Sequence, residues 1–127
     1  LDMELHHRYD PSSEETVAEV KERVVSIATV VAPLPEDHFE CGFSHIFAGG
    51  YSAGYYSYKW AEVLSADAFS AFEDAGLDDD AAIEAMGRKF RDTVLAQGGS
   101  RHPMEIFQDF RGRGPSTDAL KHHTGLV

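Results

Sequence analysis

Apolar residues recur at spacings of three and four along most of this chain, a period that favours helices over half-buried strands. Val17, Val20, Val24, Ile27 and Val31 form the first such stripe. Period-2 alternation fails across the same stretch, which outweighs the preference of Val and Ile for extended backbone. Ser12, with Glu15 three residues on, reads as the N-cap and capping box of this first helix, and Pro33 sets its limit. Residues Pro33 to Gly42, with two prolines and three acids, read as a loop. A broader stripe of Tyr56, Trp60, Val63, Leu64, Ala68, Phe69 and Phe72 predicts a central helix from Tyr55 to near Gly76, buried on more than one side.

Asp78, Asp79 and Asp80 bring negative charge to the start of a third helix, which carries Ile83, Met86, Phe90 and Val94 and stops at Gly98-Gly99. Pro103 opens a fourth, with Met104, Phe107 and Phe110 on one face. Ser116 caps a fifth, closed by Gly125. The expected fold is all-α, a compact helical domain of about five helices with a Gly/Tyr-rich loop before the central one. At 127 residues, a single domain over 1–127 is expected.

Charge narrows the partners. Eleven basic against 22 acidic residues give a net charge of −11, which disfavours nucleic acid and anionic membrane surfaces, where Lys and Arg must neutralise phosphates. No apolar run approaches the roughly 20 residues of a membrane helix, and no secretory pattern opens the chain. The single cysteine, Cys41, cannot form an internal disulfide and stands beside acids that oppose thiolate formation, so a cytoplasmic location is expected and no nucleophile. Leu1 to His7 alternates apolar and polar residues without an initiator Met or a helix cap, and is read as cut from something longer.

The segment from His45 to Tyr58 carries the most unusual chemistry. Gly49, Gly50 and Gly54 allow close backbone approach or a hinge, and around them stand Tyr51, Tyr55, Tyr56, Tyr58 and His45. A phenol with a pKa near 10 stays protonated at neutral pH, so it can donate a hydrogen bond to an oxyanion formed only in a transition state. Spacing alone leaves this reading level with an aromatic helix start packed into a core. Phosphate binding is weaker, because neither Gly-rich nucleotide motif has its spacing here and no strand precedes Gly49-Gly50.

The run Phe43 to Glu62, FSHIFAGGYSAGYYSYKWAE, closely resembles the stretch downstream of the zinc site in the thimet-oligopeptidase family, especially its oligopeptidase A and dipeptidyl carboxypeptidase branch. Gly98-Gly99-Ser100, Phe110 to Arg113, Pro115, Asp118-Ala119-Leu120 and Gly125-Leu126 resemble the ends of those enzymes, so the likeness covers essentially the whole chain. It implies the carboxy-terminal catalytic-domain part of a zinc metallopeptidase that hydrolyses short peptides. It assigns catalytic roles to Tyr58, as oxyanion donor, and His45, its partner. Tyr51, Tyr55, Gly49 and Gly50 are implied as substrate-binding, with the glycines letting the loop close over peptide.

In that family an H-E-x-x-H helix and a later Glu hold the zinc. None of the seven histidines here begins that motif, so no metal ligand is assigned, and zinc is expected only in the parent enzyme. The adjacent pairs His6-His7 and His122-His123 diverge on a helix and are read as surface histidines. The fragment is expected to be inert alone, to need the upstream part of its own polypeptide, and to expose an apolar face open to self-association. Two alternatives stand beside this reading: a helical module that binds peptides without cutting them, and a purely structural acidic domain. Peptide specificity, and endopeptidase against dipeptide release, are not expressed in these residues.

Overall fold

The computed structural model describes all 127 residues. It is all-α, with no strand and no helix long and apolar enough to cross a membrane. The chain divides into two compact units, Leu1–Ser57 and Tyr58–Val127.

In the first unit, a π-type turn over Glu4–Arg8, closed by the Tyr9 N–H on the Glu4 carbonyl at 2.8 Å, replaces the alternation read for this segment. Helix α1, Val17–Ala28, starts one turn later than expected. Its N-cap is Thr16, whose hydroxyl accepts from Glu19 N–H while the Glu19 carboxylate accepts from Thr16 N–H. Ser12 instead donates through N–H and hydroxyl to Asp10, making a turn. The helix also ends early. Thr29 is extended and its N–H closes the helix on Val25, because Thr29, Val30 and Val31 are β-branched and Ala32 precedes a proline. Of the stripe read from the sequence, Val17, Ile27 and Val31 are exposed and only Val20 is fully enclosed.

A short helical turn, α2, Phe39–Gly42, lies within the segment read as loop. The interior here is unusually polar. Val20 and Ile46 are fully enclosed, and beside them Asp2, Lys21 and Glu40 are buried. Lys21 answers its own burial with Glu40, 3.2 Å away, and by donating to the Asp37 carbonyl.

The second unit is built on α3, Ser57–Ala75, α4, Asp80–Phe90, α5, Pro103–Arg111, and α6, Asp118–His123. The starts of α4 and α5 follow the sequence signals, whereas α3 begins at Ser57 rather than Tyr55, and the N-cap position of α6 is Thr117, without a side-chain cap, rather than Ser116. Asp79 caps α4 by accepting from the N–H groups of Ala81 and Ala82, and Pro103 occupies the first turn of α5. Arg91–Leu95 extends α4 as a π-type turn. The fully covered positions of α3 (Val63, Ala66, Asp67 and Ala71) lie on one face, whereas Trp60 and Phe69 are half-exposed, so the helix is not buried on several sides as expected. Ile106, Phe107 and Phe110 of α5 are buried, and Phe110 meets Phe90 edge-on at 5.2 Å.

One polar residue organises this core. Asp67 is 1% exposed and accepts both guanidinium nitrogens of Arg113 at 2.7 Å and the Ser116 N–H at 2.6 Å, with Arg111 Nε 3.3 Å away. Burial alone would push its carboxyl up, but Arg113, Ser116 and Arg111 outweigh it and hold Asp67 below its ordinary value. A carboxyl depressed in this way contributes stability that is complete above the unfolded pKa of about 4 and is lost as pH falls through the folded value. Asp67→Asn is expected to lower stability in urea denaturation at pH 7 by on the order of 3 kcal/mol. The same substitution should flatten the loss of stability on acidification towards pH 3, read as a smaller shift in urea midpoint than in the unsubstituted chain.

Candidate functional site

The Gly/Tyr segment is an ordered loop rather than the first turn of a helix. A 3₁₀ turn over Ser44–Ile46 is followed by main-chain hydrogen bonds from Gly49 N–H to the Ser44 carbonyl at 2.8 Å and from Tyr51 N–H to the His45 carbonyl at 3.0 Å. The Ser52 hydroxyl donates to the Ile46 carbonyl at 2.6 Å, tying the loop to the fully buried Ile46. Gly49 is fixed by proximity: a Cβ there would stand 2.6 Å from His45 Cα. Gly50 has φ +80°, a left-handed conformation that side chains resist.

The loop gathers rings around His45. Tyr51 lies 6.2 Å from the imidazole, tilted, and Tyr55 lies 5.9 Å from it, edge-on. Phe43 backs the group at 6.1 Å from His45 and 4.8 Å from Tyr55, with Phe39 behind it at 4.7 Å. Tyr51 and Tyr55 are 36% and 37% exposed, so each ring is packed against its neighbours and still partly open to solvent. The arrangement offers hydrogen-bond donors and acceptors above an aromatic floor, which suits the alternating amide and apolar character of a peptide.

Five of the residues assigned from the sequence (His45, Gly49, Gly50, Tyr51 and Tyr55) therefore share one loop of the first unit. Tyr58 opens the second unit, in the first turn of α3, and is 42% exposed.

A residue the sequence did not single out lies beneath this loop. Asp2 is buried, and its Oδ1 and Oδ2 accept the N–H groups of Ala53 and Tyr55 at 2.8 and 2.9 Å. His6 Nδ1 lies 2.8 Å from the same Oδ1, so this exposed histidine, read as a surface one, is also a partner of Asp2. Burial would raise the Asp2 carboxyl, yet the Tyr55 and Ala53 N–H groups and His6 outweigh it and keep the group below its ordinary value. Ala53 has φ +55°, a left-handed conformation that costs an L-residue roughly 1–2 kcal/mol, and the bond to Asp2 holds it there. His123 likewise has a partner, with Nε2 3.0 Å from both Glu73 oxygens.

No group of three or more His, Cys, Asp or Glu side chains is arranged to hold a metal ion. His45 is ringed by aromatic side chains and His6 is committed to Asp2, so the residues present do not fit a resident zinc.

Similarity to known proteins extends over almost the whole chain. The model of Peptidase family M3 matches residues 1–126. The chain is 61% identical over all of its residues to the probable cytosolic oligopeptidase A of Arabidopsis thaliana and 59% identical to that plant's organellar, chloroplastic/mitochondrial oligopeptidase A. It is 46% identical over 99% of its residues to oligopeptidase A of Escherichia coli. It spans 18%, 16% and 18% of the lengths of these three relatives. A match over nearly every residue, loop and helices alike, means that the chain belongs to peptidase family M3.

Proposed function

We propose that these residues are the carboxy-terminal catalytic-domain part of a zinc-dependent oligopeptidase that hydrolyses short peptides, and that they supply its substrate-binding and oxyanion-stabilising groups. The observation that carries this reading is the half-exposed cluster in which the His45 imidazole stands between the phenols of Tyr51 and Tyr55, on a chain similar throughout to oligopeptidases. In this proposal Tyr51 and Tyr55 bind the peptide and Gly49-Gly50 shape the loop that faces it. Tyr58 and His45 donate to the oxygen that gains charge as the peptide carbonyl becomes tetrahedral. Such a donor strengthens its bond as charge develops, so its contribution is to kcat rather than to affinity alone.

The metal belongs, on this reading, to the preceding part of the same polypeptide, consistent with the small share of the relatives' length covered here. Nucleic acid and membrane have no part in the proposal, and the net charge of −11 supports their exclusion. A cytoplasmic compartment is included; one relative is named cytosolic, although another is named for chloroplasts and mitochondria.

Two measurements test the proposal. Tyr58→Phe in the complete peptidase is expected to lower kcat and kcat/KM together, by on the order of a hundredfold or more, with a short peptide as substrate. An unchanged kcat removes Tyr58 from the chemistry. The 127 residues alone are expected neither to hydrolyse nor to bind such a peptide appreciably in a calorimetric titration. Clear binding without hydrolysis would favour a peptide-binding module instead.

A further inference from the structure

Asp2 stands outside the residues assigned to peptide contact, yet the main chain of their loop converges on it. Ala53 and Tyr55 flank Gly54 and send their N–H groups to different oxygens of one buried carboxylate. His6 meets the oxygen that also accepts the Ala53 N–H, and packs its ring against Phe47 of the loop at 5.5 Å. The loop backbone between Tyr51 and Tyr55 also turns through the left-handed Ala53, a conformation the chain does not adopt without an external hold.

We propose that Asp2 is a positioning residue of the peptide site: its two oxygens fix the turn at Ala53 and the entry of Tyr55. The phenols of Tyr51 and Tyr55 are thereby held beside His45 before a peptide arrives. The inference rests on the substrate-binding role proposed for that loop. Physically, it says that the carboxylate sets the fraction of molecules whose loop is ready to bind. When that fraction falls, apparent affinity falls in proportion, while an enzyme saturated with substrate still turns over. Release of the loop therefore acts on KM. A substitution that only damages folding acts differently, lowering the amount of active enzyme and the apparent kcat with KM unchanged.

Asp2→Asn separates the two. The amide has the same shape but one acceptor oxygen, and it turns its N–H groups towards a main-chain N–H that needs an acceptor. In the complete peptidase, Asp2→Asn is expected to raise KM for a short peptide on the order of tenfold with kcat little changed. Tyr51→Phe and Tyr55→Phe, measured alongside, test the loop itself. If both leave KM unmoved, the loop does not bind peptide and the positioning role falls with it. If they raise KM and Asp2→Asn does not, Asp2 alone is overturned. A fall in kcat at constant KM for Asp2→Asn overturns it as well. Should that variant not fold, amide hydrogen exchange on the unsubstituted enzyme decides. The Ala53 and Tyr55 amides are expected to be protected, and exchange at the rate of free amides at both overturns the proposal.

Discussion

An ionised carboxylate removed from water must find its hydrogen bonds inside the protein, and each unit of this chain is arranged around one that does. Asp2 takes main-chain N–H groups from the loop that carries the aromatic cluster, and Asp67 takes one from Ser116 together with the fork of Arg113. Both are short acids, with little freedom to follow a partner that moves, so each pins a stretch of irregular backbone to a fixed point. In the first unit this matters more than apolar burial. Only Val20 and Ile46 are enclosed there among apolar side chains, against three charged residues, whereas the second unit has the buried face of α5 and the aromatic contacts of Phe90 and Phe110.

The order of the longer helices could be read from the spacing of apolar residues, and the starts of α4 and α5 from Asp79 and Pro103, because these signals act within one turn of backbone. The first helix was misread by a full turn. Ser12/Glu15 and Thr16/Glu19 are both capping-box patterns in adjacent registers, and local sequence has no term that chooses between them. The aromatic cluster was visible as a run of unusual residues, but Asp2 was not: the carboxylate acts on residues about fifty positions away, and such a contact leaves no periodicity to detect. The pairing of His123 with Glu73 was missed for the same reason.

The proposed function divides the chemistry of a peptidase between two parts of one polypeptide. Generating a nucleophile and stabilising the charge it creates are separable tasks, and they can be carried by distant parts of one polypeptide. The proposal gives the second task to the groups described here. Their rings pack against one another and remain partly exposed.

The contact between Gly49 and the backbone of His45 bears on how such a loop could move. Because a Cβ on Gly49 would stand 2.6 Å from His45 Cα, and main-chain bonds succeed one another from Ser44 through Gly54, this segment has little internal slack, and Gly49 acts as a point of close approach more than as a joint. The conformational entropy of ordering the loop is then lost during folding and not at each encounter with a ligand. A closure over a bound molecule that kept these bonds would carry residues 44 to 54 together, with its flexing confined to the segments on either side.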